Sequence, residues 1–448
     1  MRTKKEKRIP KWSLFILAAV LCAAAGVGIV VPAVFTNDSE NQTVQKETED
    51  EKKTILVWAW DNNFNVKAMK MAAEEYEKTH ADIRITVISK ERSEITAELA
   101  NDFAAEAYSG IPDIVLIEDY QSQSLLNRYE SEFYAFHETI DFAQYPDYKV
   151  SVSSVDDKHY GIPFDSGTAG LFYRKDVIER AGYTQEDMQN LTWDAYIEIG
   201  KRVKEITGEY MLTIDPSDLG IIRMMMQSAG KWYVAENGTD VDIAGNDALK
   251  SAIDIYEKLL DSGIACSVSD WNQFVRSFQT DQVATVVSGS WISSSIIANR
   301  SQSGLWRVAA VPRMEGTDSI NASSIGGSSW YILKHGGANE EAVDFLTEMF
   351  VDNVDFYDTL IRDIRLSPAW KDAGAFDSYE IGDGFFGGQR VTRFFAQEAE
   401  MVPDVNYGSY TYEIEEILAD ELQNIMKQNQ VDESLQKVQV KAEAIGSH

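Results

Sequence analysis

The chain reads as an α/β protein of two lobes behind an N-terminal apolar segment, and three observations predict this. Strand-like and helix-like patterns alternate along it, as a sheet with covering helices requires. Its 448 residues exceed what one hydrophobic core organises, because cores stop growing at roughly 250–300 residues and longer chains then divide. Finally, an apolar run from Trp12 to about Phe35 stands apart from the mixed composition that follows.

Arg2, Lys4, Lys5, Lys7, Arg8 and Lys11 precede that run, which at about 1.5 Å per residue is long enough to cross a ~30 Å hydrocarbon core. The positive-inside rule keeps the basic flank in the cytoplasm and places everything after Phe35 outside the cell membrane. The segment reads as an uncleaved anchor. A cleaved secretory signal would use Ala23, Ala24 and Ala25, but the run continues through Val31, beyond the usual ~7–15-residue apolar region. Lipidation at Cys22 is the weakest reading, since Leu21 is too large for the position before a lipidated cysteine. From Thr36 to Lys53 the composition is polar and acidic without periodicity, as in a flexible tether.

The first ordered element is Thr54–Trp60, a β-branched and aromatic run that ends at Asp61 and the turn formers Asn62 and Asn63. Met69, Ala72, Ala73 and Tyr76 make one apolar face of a helix from Val66 to about Lys78. Ile83–Ile88 is a second strand, Ile95, Leu99 and Phe103 mark a second helix, and Asp113–Ile117 is a third strand. This order predicts a parallel sheet, with ligands beyond the carboxyl ends of its strands, near Trp58–Asp61 and Glu118–Tyr120. Further strands are expected at Ala169–Tyr173, Val283–Val287, Trp306–Ala310 and Trp330–Leu333. Helices are expected at Trp193–Thr207, Asp247–Ser262, Glu340–Val351 and Tyr410–Lys427.

The 41 basic and 72 acidic residues give a formal charge of -31, which repels phosphate backbones and excludes nucleic acid as a partner. The two cysteines, Cys22 and Cys266, form neither a disulfide framework nor a metal-binding pair. The five histidines are dispersed, and no GxGxxG, Walker loop or HExxH occurs, so neither a metal nor a cofactor is expected. Paired carboxylates could serve glycoside hydrolysis, but among so many acids some pair can always be nominated. More informative are the aromatics beside polar residues at strand ends and glycine turns: Trp58, Trp60, Trp232, Tyr233, Trp291, Trp330 and Tyr407. A sugar offers an apolar C–H face and a rim of hydroxyls, so its site needs flat rings and hydrogen-bonding side chains together. Taken singly each tryptophan reads as core filling, as Trp193 and Trp306 do within their elements.

Several segments, in order, carry a resemblance. They are Ile55–Asp61 with Phe64 and Asn65, Ile111–Asp119, His159–Gly167 leading to Phe172–Asp176, Ala181–Gly182, Leu191–Asp194, Val287–Trp291, Gly326–Trp330 and Gly387–Arg390. From Thr54 to about Lys427 the chain resembles the extracellular solute-binding proteins of carbohydrate ABC importers, especially those for lactose and arabinose-type sugars. The resemblance implies a type II periplasmic-binding fold, a hinged clamp of two α/β lobes closing on one sugar. It places the crossings near Tyr160–Asp165, Ala309–Pro312 and Asp352. The first lobe is then 54–163 with 310–352, and the second 164–309 with 353–448, behind the flank 1–11, the anchor 12–35 and the tether 36–53.

Carried over by motif, Asp119, Asp165 and Trp291 are ligand contacts, with Trp330 a further one from the opposite lobe. Strand-end position and motif similarity add Trp60, Asp61, Arg223, Trp232 and Arg390. The resemblance further implies a non-catalytic monomer on the outer face of the membrane, with a mono- or disaccharide ligand and a membrane permease as partners. A clamp signalling to a membrane receptor and a secreted carbohydrate-active enzyme are the alternatives.

Overall fold

The computed structural model of the chain describes residues 52–136, 140–351, 353–371, 376–428 and 430–445. The anchor 12–35 with Cys22 and Ala23–Ala25, the tether through residue 51 and the crossing expected at Asp352 lie outside the described residues. Among the described residues no helix is long and apolar enough to cross a membrane.

The first lobe opens as read from the pattern, with β1 (Lys53–Ala59), α1 (Asn65–Tyr76), β2 (Ile83–Ser89), α2 (Arg92–Ala105) and β3 (Ile114–Glu118). Then come α3 (Asp119–Tyr129), α4 (Asp147–Val152), a small hairpin of β4 (Ser154–Val155) and β5 (Lys158–His159), and β6 (Gly161–Asp165). In β1, Ile55, Val57 and Ala59 face one core while Trp58 faces another, so the two-residue period of a strand fills both sides of the sheet.

The second lobe holds β7 (Ala169–Arg174), α5 (Lys175–Arg180), α6 (Trp193–Thr207), β8 (Leu212–Ile214), α7 (Gly220–Ser228) and α8 (Asp247–Asp261). It continues through β9 (Ala265–Ser267), α9 (Trp271–Gln279), β10 (Thr285–Gly289), α10 (Ser293–Ile297) and β11 (Trp306–Ala309). Local chemistry sets the helix ends. Thr192 accepts a hydrogen bond from the Ala195 amide at the start of α6, and Gly208 ends it in the left-handed conformation. The chain then re-enters the first lobe as β12 (Ser328–Ile332), α11 (Asn339–Phe350) and α12 (Val354–Ile364). It finishes with α13 (Val391–Ala399), α14 (Thr411–Gln428) and α15 (Val431–Ile445).

The main sheet has the order β2-β1-β3-β12-β6. β1 runs parallel to β2 and β3, but β12 is antiparallel to both β3 and β6, so the sheet is mixed where the strand-helix alternation predicts a parallel one. The second lobe's sheet, β10-β7-β11, is antiparallel throughout. The cause is that β12 arrives from the other lobe instead of from an adjacent crossover helix.

The lobe boundaries also differ from the sequence reading. Val311 and Met314 pack in the second lobe's core, so the return crossing is at Ile325–Ser328 and not at Ala309–Pro312. Phe356, Tyr357, Leu360 and Ile361 of α12 pack in the first lobe's core with Trp370, Phe376 and Tyr379. The stretch assigned to the second lobe from 353 therefore belongs to the first as far as Tyr379, because the apolar face of α12 has its complement there. Phe385, Phe386 and Phe395 join a core with Phe172 and Trp306 of the second lobe. The helices α14 and α15 add Ile414, Leu418, Leu422, Leu435 and Val438 to the second lobe's largest core.

Glu398 on α13 is buried, and among the described residues nothing hydrogen-bonds its Oε2. Burial pushes its carboxyl up from 4.5 to about 7. A carboxyl whose folded-state value lies above its unfolded one stabilises the fold fully below the unfolded value, and that contribution is lost as pH rises to the folded one. Glu398→Gln should therefore be more stable than wild type at pH 8, by about 1–3 kcal/mol, and equal to it at pH 4.5. Urea denaturation at the two pH values checks this, and an equal difference at both would contradict it.

Candidate functional site

The lobes enclose a cavity of about 1140 Å³. Its first-lobe wall comes from the loop after β1 and the starts of α1 and α2, with Trp60, Asp61, Asn65 and Arg92, and from the ends of β3 and β6, with Glu118 and Asp165. Its second-lobe wall is made by Asp218, Ile221 and Arg223 around α7, by Trp271 and Phe274 on α9, and by Trp291 after β10. The crossing residues Ile325–Ser328 form its base. One face of α14 closes the side, where Tyr412, Glu415, Glu416, Ala419 and Asp420 recur at helical spacing.

Flat rings stand on both walls. Trp271 follows Asp270, whose side chain accepts from the Gln273 amide at 2.8 Å and starts α9 there. Its ring is 52% exposed, a large apolar surface left uncovered on a cavity wall. It stacks on Phe274 at 5.4 Å and tilts against Trp291 at 5.9 Å. Trp291 is fixed in turn by its Nε1, which donates to the Ile325 carbonyl at 2.9 Å. A side chain on Gly289 would meet the Trp291 indole and lie 2.7 Å from the Ile325 carbonyl oxygen, so that glycine permits the indole to fold back on the crossing.

Charged groups between the rings are paired within each lobe, and a tyrosine hydroxyl bridges the two. Arg92 donates to Glu118 and, at 2.7 Å, to the Tyr412 hydroxyl, while that hydroxyl bonds both Glu118 oxygens at 2.8 and 3.0 Å. Arg92 and Glu118 stand on the first lobe and Tyr412 on α14, so the triad spans the cleft. Arg223 donates to Glu415 and, at 3.2 Å, to Asp218, and it lies over the Tyr120 and Tyr412 rings at 5.1 and 5.6 Å. Glu118 holds the Arg92 guanidinium above its ordinary range against the cost of burial. Asp165 accepts from Ser328, and burial raises its carboxyl.

The structure thus brings Trp60, Asp61, Asp165, Arg223 and Trp291 to one cavity and places four expected contacts elsewhere. Asp119 is fully buried beneath the crossing, where both its oxygens accept from Lys149 at 2.6 Å. Burial pushes the Asp119 carboxyl up to about 7, against the opposing pull of Lys149. Its backbone amide donates to the Gly327 carbonyl, and Gly327, at φ +96°, approaches so closely that any side chain there would strike the Asp119 carboxylate. Trp330 is 0% exposed between Phe164 and Phe350, because it lies within β12, an inner strand covered on both faces, whereas Ser328 stands at the strand's first position and lines the cavity. Trp232 stacks on Tyr120 at 5.4 Å and donates from Nε1 to Thr411, so its ring is consumed in joining the lobes. Arg390 is exposed at the start of α13 and pairs with Glu380 at 3.0 Å.

A family model described as bacterial extracellular solute-binding protein matches residues 71–380. The chain belongs to that family. This solute-binding protein is 38% identical to a lactose-binding protein of Rhizobium radiobacter, over 87% of its own length and 92% of the relative's. An arabinooligosaccharide-binding protein of Halalkalibacterium halodurans is 22% identical over 65% of this chain and 62% of its own. Among solved structures, the GacH receptor of Streptomyces glaucescens superposes with a TM-score of 0.72 at 17% identity, covering 88% of this chain and 98% of the receptor. An ABC transporter associated binding protein of B. animalis subsp. lactis, in complex with β-1,6-galactobiose, superposes at 0.68 with 24% identity, covering 87% and 97%. These likenesses establish the two-lobed fold of periplasmic binding proteins.

Sequence reasoning passed over Arg92, Tyr412, Glu415 and Trp271, and it put Glu118 at a strand end facing the ligand without choosing it as a contact. A signal existed for Trp271, where the capping residue Asp270 precedes Trp271, Phe274, Val275 and Phe278 at helical spacing. For Glu118 the strand end was the signal, but β3 is buried on both faces, so pattern cannot say whether Glu118 or Asp119 enters the cleft. The two carboxylates separate by experiment. Asp119→Ala should lower stability by about 3–5 kcal/mol in urea denaturation, because it strands a buried lysine, and adding Lys149→Met should recover most of the loss. A fully stable Asp119→Ala would contradict the assignment.

Proposed function

We propose that this solute-binding protein captures a neutral di- or oligosaccharide between its lobes and presents it to the membrane subunits of an ABC importer. The observation that carries this reading is the cavity itself. Trp60 on one lobe and Trp271 with Trp291 on the other offer flat rings to the C–H faces of sugars, and carboxylates and a guanidinium stand between them for the hydroxyls. The names of the relatives, which bind lactose and arabinooligosaccharides, support the same ligand class.

Charge narrows the class. Carboxylates outnumber cations on the cavity wall, and each cation there already has an acid: Lys90 pairs with Glu98, Arg92 with Glu118, and Arg223 with Glu415. An anionic sugar would meet repulsion without a free partner. Membership of a family of binding proteins supports a carrier without chemistry of its own. The basic flank and apolar run at the N-terminus support a protein tethered to the outer face of the membrane.

Binding drives closure by as much as the ligand prefers the closed form. Thermal unfolding against lactose, β-1,6-galactobiose and arabinooligosaccharides should show a rise in Tm with at least one of them, with the sugar recovered intact. The same sugar carrying a uronate should give none. No shift with any of them, or cleavage of the sugar, would overturn the reading. Trp271→Ala and Trp291→Ala should each weaken binding by about 10- to 100-fold in calorimetry, since a buried aromatic contact of this kind accounts for about 1.4–2.8 kcal/mol, and unchanged affinity in both would contradict the stacking role.

A further inference from the structure

Tyr412 stands in the first turn of α14, which is fastened to the second lobe. Trp232 donates from Nε1 to Thr411 at 2.9 Å, and Glu415 accepts from Arg223 and, at 2.8 Å, from the Tyr233 hydroxyl. Ile414 and Leu418 pack in that lobe's core. The polar partners of Tyr412 belong to the other lobe: Arg92 is the first residue of α2 and Glu118 the last of β3.

The hydroxyl uses both of its hydrogen-bonding roles on them. It accepts from Arg92 at 2.7 Å and offers its one proton to Glu118, whose oxygens lie 2.8 and 3.0 Å away. Burial first, and then the Glu118 charge, hold the phenol well above its ordinary range, so it keeps that proton. The ring also has a guanidinium from each lobe within cation–π reach, Arg92 at 5.3 Å and Arg223 at 5.6 Å.

Just before α14, the Tyr407 and Gly408 amides donate to Gln123 of α3, so the chain leaves the first lobe within about one turn of Tyr412. Even on so short a lever arm the triad is sensitive to lobe rotation, because a hydrogen bond is lost once its atoms part by about 1 Å more than this. Making the triad still leaves about 1140 Å³ between the walls, room for a ligand to be held while the contact stands.

We propose that Tyr412 is a latch between the lobes, its hydroxyl stabilising the closed clamp through Arg92 and Glu118 and so slowing release of whatever the cleft holds. Opening must precede release, and one charge-assisted contact of this kind favours the closed form by about tenfold. The effect on lobe position is independent of the carbohydrate reading, while the effect on release uses lactose as its probe.

The test uses the full-length protein in detergent with Cys22→Ser and Cys266→Ser. Spin labels go on Lys67→Cys of α1 and Arg276→Cys of α9, exposed positions on helices that supply opposite walls of the cavity. Tyr412→Phe removes the hydroxyl and keeps the ring. Without sugar, its interlabel distance in double electron–electron resonance should exceed that of the parent by more than about 2 Å, the scale of a domain rearrangement. Lactose should bring both proteins to one distance, and stopped-flow mixing should show it leaving Tyr412→Phe about tenfold faster. Equal distances without sugar overturn the latch, because faster release would then report a lost sugar contact alone. A longer distance that persists with lactose overturns it too, since the hydroxyl would then be shaping the lobes and not their equilibrium. If lactose leaves the parent's distance unchanged and does not bind, the lactose-based reading of the ligand falls, and the distances without sugar still decide the latch.

Discussion

The buried ion pair of Lys149 and Asp119 is the constraint on which the cleft depends. It sits with both side chains inaccessible to water, beneath the point where the chain re-enters the first lobe. Lys149 also donates to the Ser328 carbonyl at 3.2 Å, and the Asp119 amide holds the Gly327 carbonyl. A pair of this kind adds little net stability compared with an apolar substitute, but it is costly to break and admits few geometries. Here the geometry is its use, since it pins the second crossing to the turn between β3 and α3.

That turn distributes three successive residues to three tasks. Glu118 enters the cavity and meets Arg92 and Tyr412, Asp119 anchors the crossing, and Tyr120 inserts into the second lobe, stacked on Trp232 and edge-on to Tyr407 at 4.8 Å. A slip of one residue would exchange a cavity group for a core group. The lobes are thus held together by packing on one side of the crossing and by a polar triad across the cleft on the other. A ligand between the aromatic walls adds its contacts to those already spanning the gap, which is how occupancy becomes lobe position.

Much of the fold was legible because it rests on local pattern. The apolar face of Met69, Ala72, Ala73 and Tyr76 located α1 to within two residues, and the helix expected at Trp193–Thr207 has the bounds observed for α6. What stayed hidden depended on contacts distant in the chain. The antiparallel insertion of β12 follows from its arrival out of the second lobe, which no local alternation records. The transfer of α12 to the first lobe follows from where a matching apolar face happens to lie. Site residues obeyed the same division: Trp60, Asp61 and Trp291 stand at strand ends or glycine turns that the sequence marks, whereas Trp330 looked equivalent and proved to be core, because an inner strand has no open face.

The central claim is that one cleft, walled by Trp60 on the first lobe and by Trp271 and Trp291 on the second, holds the sugar. A crystal structure of the protein grown with lactose tests it most directly. The account predicts density for a disaccharide between those two walls, with its hydroxyls on Asp165 and the paired groups around Arg92 and Arg223. Lactose bound outside the cleft, or seated on the surface of one lobe without touching the other, would contradict it.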